Sequence, residues 1–166
     1  PQKTLPLIKV GIMNGKYLKR ITFRSKYIFK IEHLNKTIIF TGKPNITYEI
    51  IFYKQNIIFK QKKNKLFNIS KSFYITPLHP SKNAFIIDDI EYAKIYPQGG
   101  IESRQYRGKF KIVLSNKGLR IINILSIQEY LYSVLPAEMP AYWPLEALKA
   151  QAILARTYVM YRKQVS

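Results

Sequence analysis

Cysteine is absent from the 166 residues, which removes disulfide frameworks, thiol nucleophiles and cysteine–zinc sites within this chain. That absence does not identify a compartment. No run of about 18 apolar residues occurs, so no membrane-spanning helix is predicted, and no signal peptide is visible. The chain opens on Pro1 rather than Met, compatible with removal of an export segment. Histidine is limited to His33 and His79. One falls in a strand pattern and one beside prolines, and neither joins a motif, so both read as structural or surface residues. No metal or cofactor is expected. Acidic residues are the scarce charge, 9 against 28 Lys and Arg, for a net charge of +19. Chemistry that needs a carboxyl group therefore has few places to reside. Three of those nine, Glu129, Glu138 and Glu146, lie between Ser126 and Arg162.

The positive charge is uneven. Through Pro80 there are 16 basic and 2 acidic residues, and after it 12 and 7. Such an excess suits a polyanionic neighbour, whether nucleic acid, anionic lipid or an acidic wall polymer. Compositional drift is the plain alternative, since Lys, Ile and Asn are all abundant. The basic residues are dispersed among strands without the tight cluster of a dedicated nucleic-acid patch, so nucleic acid is not expected as a partner.

A chain of this length forms one moderate domain or two small ones and can bury enough surface to fold without metals or disulfides. The fold class predicted is α+β. Short runs rich in Ile, Val, Phe and Tyr read as strands near 7–13, 18–24, 27–33, 37–41, 46–53, 56–60, 64–69, 72–76 and 84–95. Asn14-Gly15 and Thr41-Gly42 are the expected turns among them, and the spacing predicts a small sheet or barrel-like unit. Pro97-Gln98-Gly99-Gly100 marks the expected boundary between a β-rich region, 1–97, and a second region, 98–166. Strands 109–115 and 118–125 form a hairpin around Ser115-Asn116-Lys117-Gly118 and lead into a helix at Ser126.

The stretch from Ser126 to Arg162 is the part with sustained helical periodicity. Ser126-Ile127-Gln128-Glu129 is a capping box, which gives Glu129 a structural role. Glu146 falls at the third position of a second helix, about 144–163, that begins at Pro144. The helix dipole there favours the ionised carboxylate, a poor proton donor. Glu138 sits in Leu135-Pro136-Ala137-Glu138-Met139-Pro140, read as a stiff loop because Pro136 interrupts helical bonding and Pro140 restricts Met139 to extended geometry. Leu135, Met139, Tyr142 and Trp143 would then form apolar walls that keep a carboxyl protonated. The alternative is a solvated loop glutamate. Leu145, Leu148, Ala152, Ala155 and Val159 have core spacing in the second helix. Gln151 and Arg156 interrupt that surface, either as structural support or to contact substrate. Tyr106, Tyr130, Tyr142 and Trp143 could present stacking faces or simply pack, and Tyr142 and Trp143 are favoured as contacts because they adjoin Glu138.

These residues carry a resemblance. Tyr106-Arg107-Gly108, Asn123-x-Leu125, Glu129-Tyr130-Leu131, Val134-Leu135-Pro136-Ala137-Glu138-Met139-Pro140, Trp143-Pro144, Glu146-Ala147-Leu148-Lys149-Ala150-Gln151-Ala152 and Ala155-Arg156-Thr157-Tyr158 look like successive motifs of the stage II sporulation protein D family. That family also includes a cell-wall amidase enhancer. The resemblance covers about Tyr106 to Val159. It implies an exported lytic transglycosylase that cuts peptidoglycan glycan strands between N-acetylmuramic acid and N-acetylglucosamine, leaving 1,6-anhydromuramic ends. In the sporulation protein the glycan has first lost its stem peptides to an amidase partner. The glutamate of the Glu-Met-Pro motif, here Glu138, would be the acid and base; Tyr142, Trp143, Arg156, Gln151 and Tyr106 are the candidate substrate contacts from their own position and residue type. Glycan strands are the expected partner, a cell-wall amidase a further one, and membrane association through a preceding segment is compatible with this. A non-catalytic wall-binding or amidase-enhancing module is the rival reading. Family members usually continue beyond the Ala-Arg-Thr-Tyr helix into further β-structure, so the domain is expected to be incomplete at Ser166.

Overall fold

Alternating apolar residues organise most of this chain into antiparallel strands. The computed structural model describes residues 5–79, 85–91, 101–140 and 142–165. In chain order the strands are β1 (Leu7–Gly11), β2 (Arg20–Ser25), β3 (Phe29–His33), β4 (Ile38–Gly42), β5 (Thr47–Tyr53), β6 (Asn56–Gln61), β7 (Asn64–Ile69), β8 (Phe73–Pro77), β9 (Phe85–Glu91), β10 (Ile101–Tyr106), β11 (Lys109–Ser115) and β12 (Gly118–Ser126). Two helices follow, α1 (Ile127–Glu138) and α2 (Leu145–Val165), so the architecture is α+β. The chain divides into two compact units, Lys9–Ile124 and Leu125–Ser166 together with Pro1–Ile8. The loop boundary expected at Pro97–Gly100 lies outside the described residues.

The β-rich unit is built from two six-stranded sheets rather than a closed barrel. Their orders are β1-β12-β11-β8-β3-β4 and β10-β9-β2-β5-β6-β7. Among the described residues each sheet ends in two edge strands, and the two sheets stack their inner faces on each other. The period-2 alternation of a strand puts every second side chain on that inner face. In β3 it is Phe29 and Ile31, in β8 Phe73 and Ile75, and in β2 Ile21 and Phe23, all buried. Rings from both sheets meet between them: Phe23 lies 5.4 Å from Phe29 and 5.8 Å from Tyr48, and Phe29 lies 6.0 Å from Phe85. Most of these contacts are edge-on or tilted, the arrangement that ring quadrupoles favour. The buried Tyr48 hydroxyl is satisfied by accepting from the Lys43 backbone N–H at 3.0 Å.

Two expected turns resolve differently. Asn14 and Gly15 close a short 3₁₀ segment, Ile12–Gly15. Thr41 and Gly42 continue β4 instead of turning. Gly42 pairs with Phe29 across the ladder, and a Cβ there would overlap the Phe29 ring. The glycine is thus needed for close approach within the sheet, not for a turn. The hairpin of β11 and β12 forms in the expected register, Ser115 opposite Gly118 and Lys109 opposite Ile124. Gly118 takes φ +143°, and a Cβ on it would stand 2.8 Å from the Leu18 carbonyl.

Candidate functional site

The helical unit begins with a satisfied cap. Ser126 is extended at φ −69°, ψ 153° and its Oγ accepts from the Glu129 N–H at 3.2 Å. Glu129 returns the bond, accepting from the Ser126 N–H and Oγ–H at 3.0 Å each. The capping box predicted for Glu129 is formed, and it engages that carboxylate in holding the helix start. Ile127 and Leu131, four residues apart, bury the inner face of α1.

At its other end α1 departs from the expected loop. The helix continues through Pro136 and closes on Glu138, with the Met139 N–H reaching the Leu135 carbonyl at 3.0 Å. A proline in the last turn removes a single bond, the one its own nitrogen would donate to Tyr132, while the following N–H groups can still close the turn. Met139 then becomes extended at φ −136°, ψ 133°, as expected of a residue before proline. The connection is Met139 to Pro144, tightened by a 3.1 Å bond from the Trp143 N–H to the Pro140 carbonyl. Glu138 is therefore the last helical residue; its side chain lies outside the described residues.

The residues expected to form the apolar walls differ in exposure. Leu135 and Met139 are half-buried, but Tyr142 is 86% and Trp143 45% exposed. Tyr142 is thus a surface ring in a short proline-bounded turn. Glu146 lies in the first turn of α2 and accepts from Lys149 Nζ at 2.9 Å on the surface. The helix starts one residue later than expected: the Pro144 carbonyl accepts from Ala147 and Leu148 at 2.9 and 3.2 Å, making Pro144 the cap residue.

On α2, Leu148, Gln151, Ala152, Ala155 and Val159 form a half-buried stripe, whereas Leu145, expected in the core, is exposed. The small residues let α1 approach, but no described side chain on α2 is fully buried. Ile153, Leu154, Tyr158 and Tyr161 are also exposed. Arg156 ties the helices together, Nη2 donating to Gln128 Oε1 at 3.0 Å. Gln128 was not singled out in the sequence; its only local signal was its place inside the capping box.

Tyr106 belongs to the β-rich unit, at the end of β10. Its ring is half-buried and edge-on to Phe110, with centroids 5.7 Å apart. Burial pushes its hydroxyl above the ordinary tyrosine value, with Arg104 acting in the opposite direction. The phenol therefore stays protonated at neutral pH. Because the folded state holds that proton more tightly than the unfolded chain, its contribution to stability is complete below about pH 10 and is lost as pH rises through the folded value. Tyr106→Phe is expected to flatten the loss of stability above about pH 10, measured as urea midpoint against pH. An unchanged alkaline slope would contradict this.

Asn123, within the Asn-x-Leu motif, is 5% exposed, and its Nδ2 donates to the carbonyls of Arg107 at 2.8 Å and Lys109 at 3.3 Å. It fastens β12 to the chain entering β11. Asn123→Ala should cost about 1–3 kcal/mol by removing two part-buried hydrogen bonds of a buried side chain. Asn123→Asp should cost more at neutral pH, because a carboxylate would face two carbonyl oxygens. That site would favour the neutral acid, so stability should be present below about pH 3.9 and lost as pH rises through the raised folded value. Denaturation of the two variants at pH 3 and 7 checks the order.

Among the described residues no helix is long and apolar enough to cross a membrane. Residues 115–166 match the model of the family described as SpoIID, stage II sporulation protein. An uncharacterised protein of Brachyspira hyodysenteriae is 47% identical over 57 residues, a stretch that is 34% of this chain and 16% of that protein. The matched stretch thus spans well under two thirds of that relative. No solved structure matches the chain. The hairpin turn, β12 and both helices, residues 115–166, are a partial segment of the stage II sporulation protein family domain.

Proposed function

We propose that this segment contributes the acid/base residue of a peptidoglycan lytic transglycosylase, and that the residue is Glu138. The family is associated with peptidoglycan remodelling and includes lytic transglycosylases, which supports the substrate. The observation carrying the residue is the engagement of the two neighbouring carboxylates: Glu129 closes the cap of α1 and Glu146 pairs with Lys149. Glu138 stands instead at the C-terminal end of α1, with no basic residue in that last turn. The negative end of the helix dipole disfavours an ionised carboxylate there, which suits a group that must donate a proton.

One carboxyl group suffices for the reaction. Hydrolytic glycosidases use a second carboxylate to activate water or to attack the sugar. Here the muramic acid C6 hydroxyl attacks its own anomeric carbon. Glu138 first donates its proton to the departing glycosidic oxygen, and the resulting carboxylate then accepts the C6 hydroxyl proton as the 1,6-anhydro bond forms. The intramolecular attack gains from proximity when the ring is held in a reactive shape. Tyr142 and Trp143, exposed in the connection after Glu138, offer faces on which sugar rings can stack, with Arg156 and Gln151 supporting α2. The protein would act outside the cytoplasm, where this polymer lies.

The test is a digest of peptide-stripped glycan strands. Anhydro-ended products that disappear with Glu138→Gln support the assignment. Stimulation of a wall amidase that persists in Glu138→Gln, with no anhydro ends from the unsubstituted protein, would replace it with an enhancer role.

A further inference from the structure

The two sheets of the β-rich unit differ in how their outer faces balance charge. On the second sheet, Arg20 and Arg24 of β2 pair with Glu49 and Asp88, and Glu49 also faces Lys60 across the β5–β6 ladder. The first sheet shows no such ion pair among the described residues. Phe29, Ile31, Phe73, Ile75, Phe110 and Ile112 are buried inward, so the intervening residues of β3, β8 and β11 face outward. Register places Lys30 opposite Thr76, Tyr74 opposite Lys111, and Arg120 opposite Val113. Lys109 follows on β11, its Nζ 4.6 Å from the Tyr74 ring centroid. These four cations form no ion pair among the described residues. The single carboxylate in the row, Glu32, accepts a 2.7 Å hydrogen bond from Thr76 Oγ1.

We infer that this outer face, Lys30, Tyr74, Lys109, Lys111 and Arg120, is a second contact surface for a carboxylate-bearing glycan strand, separate from the residues assigned to cleavage. Charge complementarity is the argument. The cations lie on three strands, β3, β11 and β12, with Tyr74 of β8 between them, so they follow an extended ligand instead of converging on one small anion. Lys30 and the β11 lysines are two strand spacings apart, about 9.6 Å. A peptide-stripped glycan carries one lactyl carboxylate on each muramic residue, a periodic and sparse charge that fits dispersed lysines better than the dense phosphates of nucleic acid. Tyr74 adds a flat apolar surface between them. The choice of ligand rests on the wall-glycan reading above; the existence of an anion-binding face does not.

Co-sedimentation of the full chain with peptide-stripped glycan strands tests this. The triple variant K30Q/K109Q/K111Q should bind about tenfold more weakly at low salt, and R20Q/R24Q on the other sheet should bind as the parent does. Amidating the glycan carboxylates should weaken parent binding similarly, a measurement that needs no variant to fold. Binding indifferent to both the lysines and the carboxylates overturns the inference, as does an oligonucleotide that binds this face as tightly as the glycan at physiological salt. Cleavage is scored separately. Lysine-dependent binding without anhydro ends would remove the transglycosylase proposal and leave this surface standing; anhydro ends with lysine-independent binding would do the reverse.

Discussion

Glu138→Gln is expected to lower the rate of glycan cleavage by about 10²–10⁴-fold, the usual contribution of a positioned general acid or base. The amide keeps the shape of the side chain but can neither give nor accept the proton, so binding should change little while turnover falls. Glu138→Asp tests position rather than chemistry: it retains a carboxyl group but withdraws it by one methylene, and misplacement on that scale can cost about 10²-fold. The pH dependence follows from the role. A group that must be protonated to act loses activity as pH rises through its pKa, so cleavage should fall on the alkaline side of its profile. Equal cleavage by the parent and Glu138→Gln would end the catalytic assignment, whereas Glu129→Gln should act through the cap and change stability more than chemistry.

Phe23→Ala should be the most damaging single change in the β-rich unit. The side chain is 1% exposed and its ring contacts those of Phe29, Tyr48, Phe59 and Phe85 at 5.4–6.3 Å. These partners come from both sheets, so a void at this point cannot be closed by one strand moving. The expected loss is about 3–5 kcal/mol, a large share of the roughly 5–15 kcal/mol that keeps a typical domain folded. With a urea slope of about 2 kcal/mol/M this lowers the midpoint by about 2 M. Tyr53→Ala, at the end of β5 in the same sheet but 55% exposed, should stay within about 0.5 kcal/mol of the parent. A Phe23→Ala midpoint near that of the parent would show that the interlocked rings are not the centre of the core.

The strand pattern was legible where one face is apolar. The β11–β12 hairpin falls where its alternation and the Asn116-Lys117-Gly118 turn put it, and β7 and β6 start at the expected residues. Strand β10 was not legible. Its sequence, Ile-Glu-Ser-Arg-Gln-Tyr, has little apolar alternation because it is an edge strand, bonded among the described residues to β9 alone. Edges tolerate charge because half their surface faces water. The tight turn at Lys54-Gln55 carries no Asn-Gly signal either, yet both residues adopt positive φ, 46° and 59°. The neighbouring strands impose that turn by pairing Tyr53 with Asn56.

Local chemistry alone determined the start of α1, the extended Met139 and the identity of the three carboxylates to compare, because caps and pre-proline sterics act within a few residues. Tertiary structure decided the rest. It made two stacked sheets out of runs that would equally suit a barrel, turned Gly42 from a loop signal into room for Phe29, and sent α1 through Pro136 to end on Glu138. It also gathered on one outer face of the sandwich lysines that form no ion pair among the described residues. Each of these depends on which distant residue arrives next to which, and one-dimensional spacing does not encode that meeting until the core has packed.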